Sequence, residues 1–89
     1  MKQSNIVVRH DQQHGMFYIK LNGSAARLNY SKPEMDVMNI TKTHVPERSR
    51  NLGLGKRLVR HTLDFALSYN IKVIPSCSFV ENYIKNNKE

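Results

Sequence analysis

The sequence holds one cysteine, Cys77, so an internal disulfide is not available to it. That fits a reducing, cytoplasmic compartment and excludes the disulfide-stapled secreted folds. Its apolar runs stop far short of the ~18 residues that span a bilayer, which excludes a transmembrane helix. Only Met1-Lys2-Gln3-Ser4-Asn5 precedes the first strand-like run, which argues against a cleaved signal peptide. Repeats, linkers and low-complexity tracts are missing as well. Acidic residues are scarce: 7 Asp and Glu stand against 14 Lys and Arg, giving a net charge of +7 over 89 residues. With 39% hydrophobic residues the chain has material for one small core, so residues 1–89 are expected to form a single domain. The positive excess fits nucleic acid, an anionic cofactor or plain solubility.

What is present reads first as strands. Ile6-Val7-Val8 is a short strand, followed by a polar turn from His10 to Gly15. Met16 to Leu21 is a second, rich in aromatic and β-branched residues. Asn22-Gly23 is a strong hairpin signal, since both residues tolerate positive φ. A third strand follows from Ala25 to Tyr30, then a loop over Ser31 to Met35, then a fourth strand from Val37 to Val45. From Leu54 the period changes. Leu58, Val59, Leu63, Ala66 and Leu67 recur at three and four, with Lys56, Arg57, Arg60, His61 and Asp64 between them, which predicts an amphipathic helix with a basic face. Asn70 ends it. Ile71 to Ile74 is a fifth strand, closed by Pro75. Ser78-Phe79-Val80-Glu81 has the spacing of a capping box and predicts a last helix running to about Asn86. The order β-β-β-β-α-β-α makes an α+β fold: a four-strand antiparallel meander followed by helix-strand-helix, with a right-handed final crossover expected.

The chemistry concentrates in Val45-Pro46-Glu47-Arg48-Ser49-Arg50-Asn51-Leu52-Gly53-Leu54-Gly55-Lys56, between the fourth strand and the first helix. Glycines where a loop runs into a helix let backbone N–H groups approach an anion, and the helix dipole favours negative charge there. Arg50 and Lys56 add positive charge on either side. By physics alone, a phosphate cradle and a Gly-rich connection with solubilising cations are about equally supported. Two well-known phosphate motifs do not fit. A P-loop needs glycine where Arg50 stands and Ser or Thr where Arg57 stands. The dinucleotide fingerprint needs a small residue at Leu58.

A third pattern fits. Arg50-Asn51-Leu52-Gly53-Leu54-Gly55 resembles the R-G-x-G-x-G/A signature of the GNAT acyltransferases, with Asn51 in place of the usual second-position glycine. Thr43-His44-Val45-Pro46-Glu47 and the tail Lys72-Val73-Ile74-Pro75-Ser76-Cys77-Ser78-Phe79-Val80 resemble a family of minimal GNAT-like proteins, about as long as this chain, that carry a P-x-C-x-[FY] tail motif. The resemblance implies a compact GNAT-like fold. It also implies an acetyl-CoA site built from Val45, Arg50, Asn51, Leu52, Gly53, Leu54, Gly55, Lys56 and Arg57. The implied activity is N-acetyl transfer to an amine.

Such a reaction needs a deprotonated amine, a donor for the oxyanion and a proton for the leaving thiolate. The resemblance places the Val45 N–H among the oxyanion donors. Cys77, directly before the expected N-cap Ser78, should have its pKa lowered by the helix dipole. The family has a cysteine here near the acetyl group, where it is either acetylated transiently or relays a proton. The alternative is a small residue packed at a strand-helix junction. The family histidine that faces the acetyl group is Lys42 in this chain, so Lys42 is carried as a candidate together with His44, two residues on. His44 and Glu47 could accept a proton from the amine, or be no more than exposed strand-end residues. Tyr83 could protonate the leaving thiolate, although packing with Phe79 and Val80 is the favoured reading. Of Lys56, Arg57 and Arg60, at least one is expected on the cofactor's 3′-phosphate. His10 and His14 have metal-ligand spacing but lack further ligands, so a polar turn is expected there.

The expected partners are therefore acetyl-CoA (or coenzyme A) and an amine acceptor, a small molecule or a protein. The chain is expected to be a monomer or weak dimer with no membrane partner. The competing hypothesis is a small basic nucleic-acid-binding module without catalysis. Against it, Phe17 and Tyr18 should point to opposite sheet faces and so form no shared stacking platform.

Overall fold

Strand pairing begins at the turns. In the computed structural model, which describes residues 6–87, Asn22-Gly23 closes a hairpin between β2 (Met16–Leu21) and β3 (Ser24–Glu34). Its antiparallel register runs from Leu21↔Ser24 to Met16↔Asn29. A second turn, over residues 12–15, joins β1 (Arg9–Asp11) to β2. β1 therefore lies later than the Ile6-Val7-Val8 strand read from the sequence. The turn decides this, because closing it pairs Asp11 with Met16 and His10 with Phe17. Ile6 and Val8 still pack against the core, without a ladder.

β3 is longer than expected. It runs through the predicted Ser31–Met35 loop to Glu34 and accommodates Pro33 where its register with β4 (Val37–His44) shifts. A six-residue 3₁₀ helix, Glu47–Leu52, leads into α1 (Leu54–Ser68). Then come β5 (Lys72–Pro75), one residue later than predicted, and α2 (Ser78–Asn86). The five strands lie in the order β1-β2-β3-β4-β5, antiparallel except for the β4–β5 pair. This is the α+β arrangement the sequence predicts.

Alternation gives the sheet one buried face. Phe17, Ile19, Ala26, Leu28, Met38 and Ile40 join Leu54, Leu58 and Val59 of α1 and Val80 of α2 in one core. Both helices thus cover the same face. The buried positions of α1 follow the periodicity the sequence predicts, apart from Leu67, which is 78% exposed.

An irregularity in β4 positions the site. Asn29 pairs with Lys42, but Tyr30 pairs with Ile40, so Thr41 is an extra residue in β4. Such a bulge inverts the alternation beyond it. Period two from buried Met38 and Ile40 would turn Lys42 and His44 into the core. The bulge instead places Thr43 on the helix side, opposite Leu28, and Lys42 and His44 on the uncovered side, opposite Asn29 and Arg27.

Candidate functional site

The site forms where two parallel strands part. The last β4–β5 pair is Ile40↔Pro75, after which β4 continues to His44 paired with β3 but not with β5. Cys77 N–H donates to the Ile40 carbonyl at 3.1 Å and ties the start of α2 to this fork. Beside it lies a cavity of about 540 Å³. Thr43, His44 and Val45 line it from the end of β4, Arg50 and Asn51 from the 3₁₀ helix, Gly53, Gly55 and Lys56 from the start of α1, and Phe79 from α2.

The loop geometry follows from its residues. Gly53 is the N-cap of α1 with φ +71°, a left-handed conformation that side chains disfavour. Asn51 needs no such freedom: Asn70 is the non-glycine residue with positive φ among the described residues. The glycine usual at this position in the motif is thus not required here for a left-handed turn. Arg50 Nε donates to the Val45 carbonyl at 3.0 Å and fastens the loop to the strand end. Gly55 is required for close approach. A Cβ there would stand 2.9 Å from Phe79 Cζ and 3.6 Å from Val45 Cγ2.

The first helical bond of α1 is Arg57 N–H to the Gly53 carbonyl at 3.1 Å, and no side chain caps the helix. The N–H groups of Leu54, Gly55 and Lys56 therefore lack helical acceptors and carry the positive end of the dipole. Uncapped N–H groups, two cations and a glycine packed closely against Phe79 suit an elongated phosphorylated ligand such as the pyrophosphate of coenzyme A.

The remaining sequence candidates divide. Leu54 contributes its N–H, while its side chain is buried in the core. Leu52 is 63% exposed and does not line the cavity. Arg57 lies in a second cavity, also of about 540 Å³, with Arg60, His61 and Tyr83. Lys56 borders both and joins them. Lys42 is exposed on the open sheet face and does not line the first cavity.

Cys77 does not line the cavity; its Sγ lies 3.6 Å from the hydroxyl of Thr43, which does. It is itself the N-cap of α2, and Ser78 is the first helical residue, so the predicted capping box is absent. Burial pushes its pKa up, but the Val80 N–H, the Thr43 hydroxyl and the N–H groups of Phe79 and Thr43 outweigh it and leave the thiol below its ordinary value of 9.0. The sulfur closes no capping hydrogen bond, so the two helical N–H groups act on it as oriented dipoles.

Thr43 and Phe79 are site residues the sequence reading missed. For Thr43 the signal was hidden by the bulge. Phe79 was read as core; it is 41% exposed, with its ring against Gly55. The two turn histidines part company: His10 Nε2 meets the Tyr30 hydroxyl at 2.6 Å, and His14 Nδ1 meets Asp11 at 2.9 Å. Phe17 is buried, so it shares no stacking surface with Tyr18.

Known proteins resemble this chain in sequence and in fold. Protein NATD1 of Mus musculus is 32% identical over 84 residues, covering 92% of this chain and 76% of its own. Protein NATD1 of Xenopus tropicalis is 30% identical over 86 residues, covering 94% and 79%. The NMR solution structure of a GCN5-like protein from Staphylococcus aureus superposes with a TM-score of 0.73 at 28% identity, covering 94% of this chain and 82% of that one. Residues 16–89 match the family model described as GCN5-related N-acetyl-transferase, and the chain belongs to that family.

Proposed function

We propose that the chain is a cytoplasmic, single-domain enzyme that binds acetyl-CoA and transfers its acetyl group to an amine. The observation that carries this reading is the junction of the uncapped α1 N-terminus and the Gly55 cradle with the fork between β4 and β5. Acetyl-CoA supplies an acyl group already activated as a thioester. The N–H groups of Leu54, Gly55 and Lys56, with the Arg50 and Lys56 side chains, hold the pyrophosphate. Arg57 and Arg60 serve the 3′-phosphate from the adjoining cavity.

That placement directs the acyl end toward Val45, His44 and Thr43. The Val45 N–H stabilises the oxyanion as the carbonyl is attacked. His44 takes the proton that the amine loses. In the direct route the amine nitrogen bonds to the acetyl carbon, the C–S bond breaks, and the Cys77 thiol protonates the departing thiolate. In the two-step route the Cys77 thiolate attacks first and coenzyme A leaves. The amine then displaces Cys77 from its acetyl thioester and regenerates the thiolate.

An amide-resolved NMR titration with acetyl-CoA tests the reading. Shifts should concentrate between Val45 and Arg57 and around Cys77. Saturating cofactor without shifts there would sink the assignment. Treating the protein with acetyl-CoA and no acceptor separates the routes, because only the two-step route leaves an acetyl adduct on Cys77 detectable by mass.

A further inference from the structure

With both helices on one face, the other face of the sheet is uncovered among the described residues, and its composition is lopsided. The register puts Arg9, Tyr18, Arg27 and His44 in one row across β1, β2, β3 and β4. Lys20 flanks that row on one side, through its pairing with Ala25. Lys42 flanks it on the other, through its pairing with Asn29. Ion pairs among the described residues are His14–Asp11 and Arg60–Asp64, so Arg9, Lys20, Arg27 and Lys42 have no carboxylate partner there. The carboxylate of Asp11, at the edge of this face, is held by the His14 ring at 2.9 Å and the His14 N–H at 3.1 Å.

The row is not remote from the chemistry. His44 ends it and also lines the cavity at the fork. Four strands at about 4.8 Å spacing give a track of about 14 Å, long enough for a short extended peptide. We infer that this open face docks an acidic polypeptide segment, which presents its amine to the cavity beside His44. The inference rests on the acetyltransferase reading and names its acceptor class. Positively charged acceptors such as polyamines are repelled by the same cations. Single-stranded nucleic acid is less well matched, since Tyr18 is the one aromatic side chain in the row and stacking needs successive platforms.

The test uses the full chain, isotope-labelled, and four probes at low salt. These are a glutamate-rich peptide carrying one lysine, a serine-glycine peptide of equal length carrying one lysine, spermidine and a short single-stranded oligonucleotide. The acidic peptide should shift the amides of Tyr18, Arg27 and His44 and bind on the order of tenfold more tightly than the neutral one. The preference should vanish in the Lys20→Glu/Arg27→Glu double variant, whose acetyl-CoA shifts should be those of the parent protein. Equal binding of acidic and neutral peptides overturns the inference. So does a preference that survives charge reversal, preferred acetylation of spermidine, or tighter binding of the oligonucleotide on this face. A separate acetyl-CoA titration keeps the two ideas apart. Cofactor shifts without peptide shifts defeat the docking face alone, and peptide shifts without cofactor shifts defeat the acetyltransferase reading and with it the acceptor role of the face.

Discussion

At Gly55 a single hydrogen stands where any other residue would bring a carbon into the Phe79 ring. Because the contact is with the far end of a side chain, Gly55→Ala should be tolerated by a small ring displacement. Gly55→Val adds two further methyl groups beside Phe79 and Val45, in the path proposed for the cofactor. Its acetyl-CoA affinity, measured by calorimetry, should fall by at least about tenfold, as expected when about 1.4 kcal/mol of binding is lost. Parental affinity in Gly55→Val would remove the cradle from the assignment. At Cys77 the balance is between burial, which disfavours thiolate, and donors from Val80, Thr43 and Phe79, which favour it. Replacing Thr43 by valine removes a donor and keeps the shape. The pH midpoint of Cys77 alkylation should lie below 9.0 in the parent protein and move upward in Thr43→Val. An unmoved midpoint would mean that the Thr43 hydroxyl does not act on the sulfur.

Elements in this protein are joined by special residues at few places. Gly53 holds φ +71° between the 3₁₀ helix and α1, with open space where a Cβ would go. A side chain there meets no neighbour but must adopt the left-handed conformation, at a cost of about 1–2 kcal/mol. Gly53→Ala should therefore lower the urea midpoint by that amount of stability and leave the slope unchanged, while Gly53→Asn should cost less. A midpoint unchanged in Gly53→Ala would show that the junction relaxes. The same scale explains the misplacement of the α2 cap. Ser78 and Glu81 have the spacing of a capping box, but Cys77 N–H is already bound to the Ile40 carbonyl. That tertiary bond sets the N-cap one residue earlier, at Cys77, so the helix begins at Ser78.

At the scale of the whole molecule, titration of one aromatic cluster couples to folding. His10 stacks on Phe17 with centroids 3.9 Å apart, touches Phe65 edge-on and bonds the Tyr30 hydroxyl. Burial, then the nearby His61, lower its pKa below 6.5; Asp11 opposes them and Lys32 adds a smaller push downward. The unfolded chain then binds the proton more readily than the folded one. This contribution is intact above the unfolded value and is lost as pH falls through 6.5 toward the folded pKa. Urea midpoints should decline across that window, and His10→Phe, which keeps the stack, should flatten the decline. A slope unaltered by that substitution would assign the acid sensitivity elsewhere.

Strands β2 through β5, both helices and the Gly-rich loop between β4 and α1 were legible in the chain, because hairpin signals, helical periodicity and local glycines act within a few residues of themselves. The +7 charge and the resemblance of residues Arg50 to Gly55 to an acyltransferase loop were legible on the same local terms. The tertiary structure alone decided three things. The tight turn at residues 12–15 moved β1 to Arg9–Asp11. The pairing with β3 inserted Thr41 as a bulge, which turned Thr43 to the cavity and His44 and Lys42 to the open face. The fork between β4 and β5 then brought Cys77 within reach of Thr43, 34 positions away. The last two depend on pairing between distant segments, and period-two patterning is blind to a single inserted residue until the partner strand is in place.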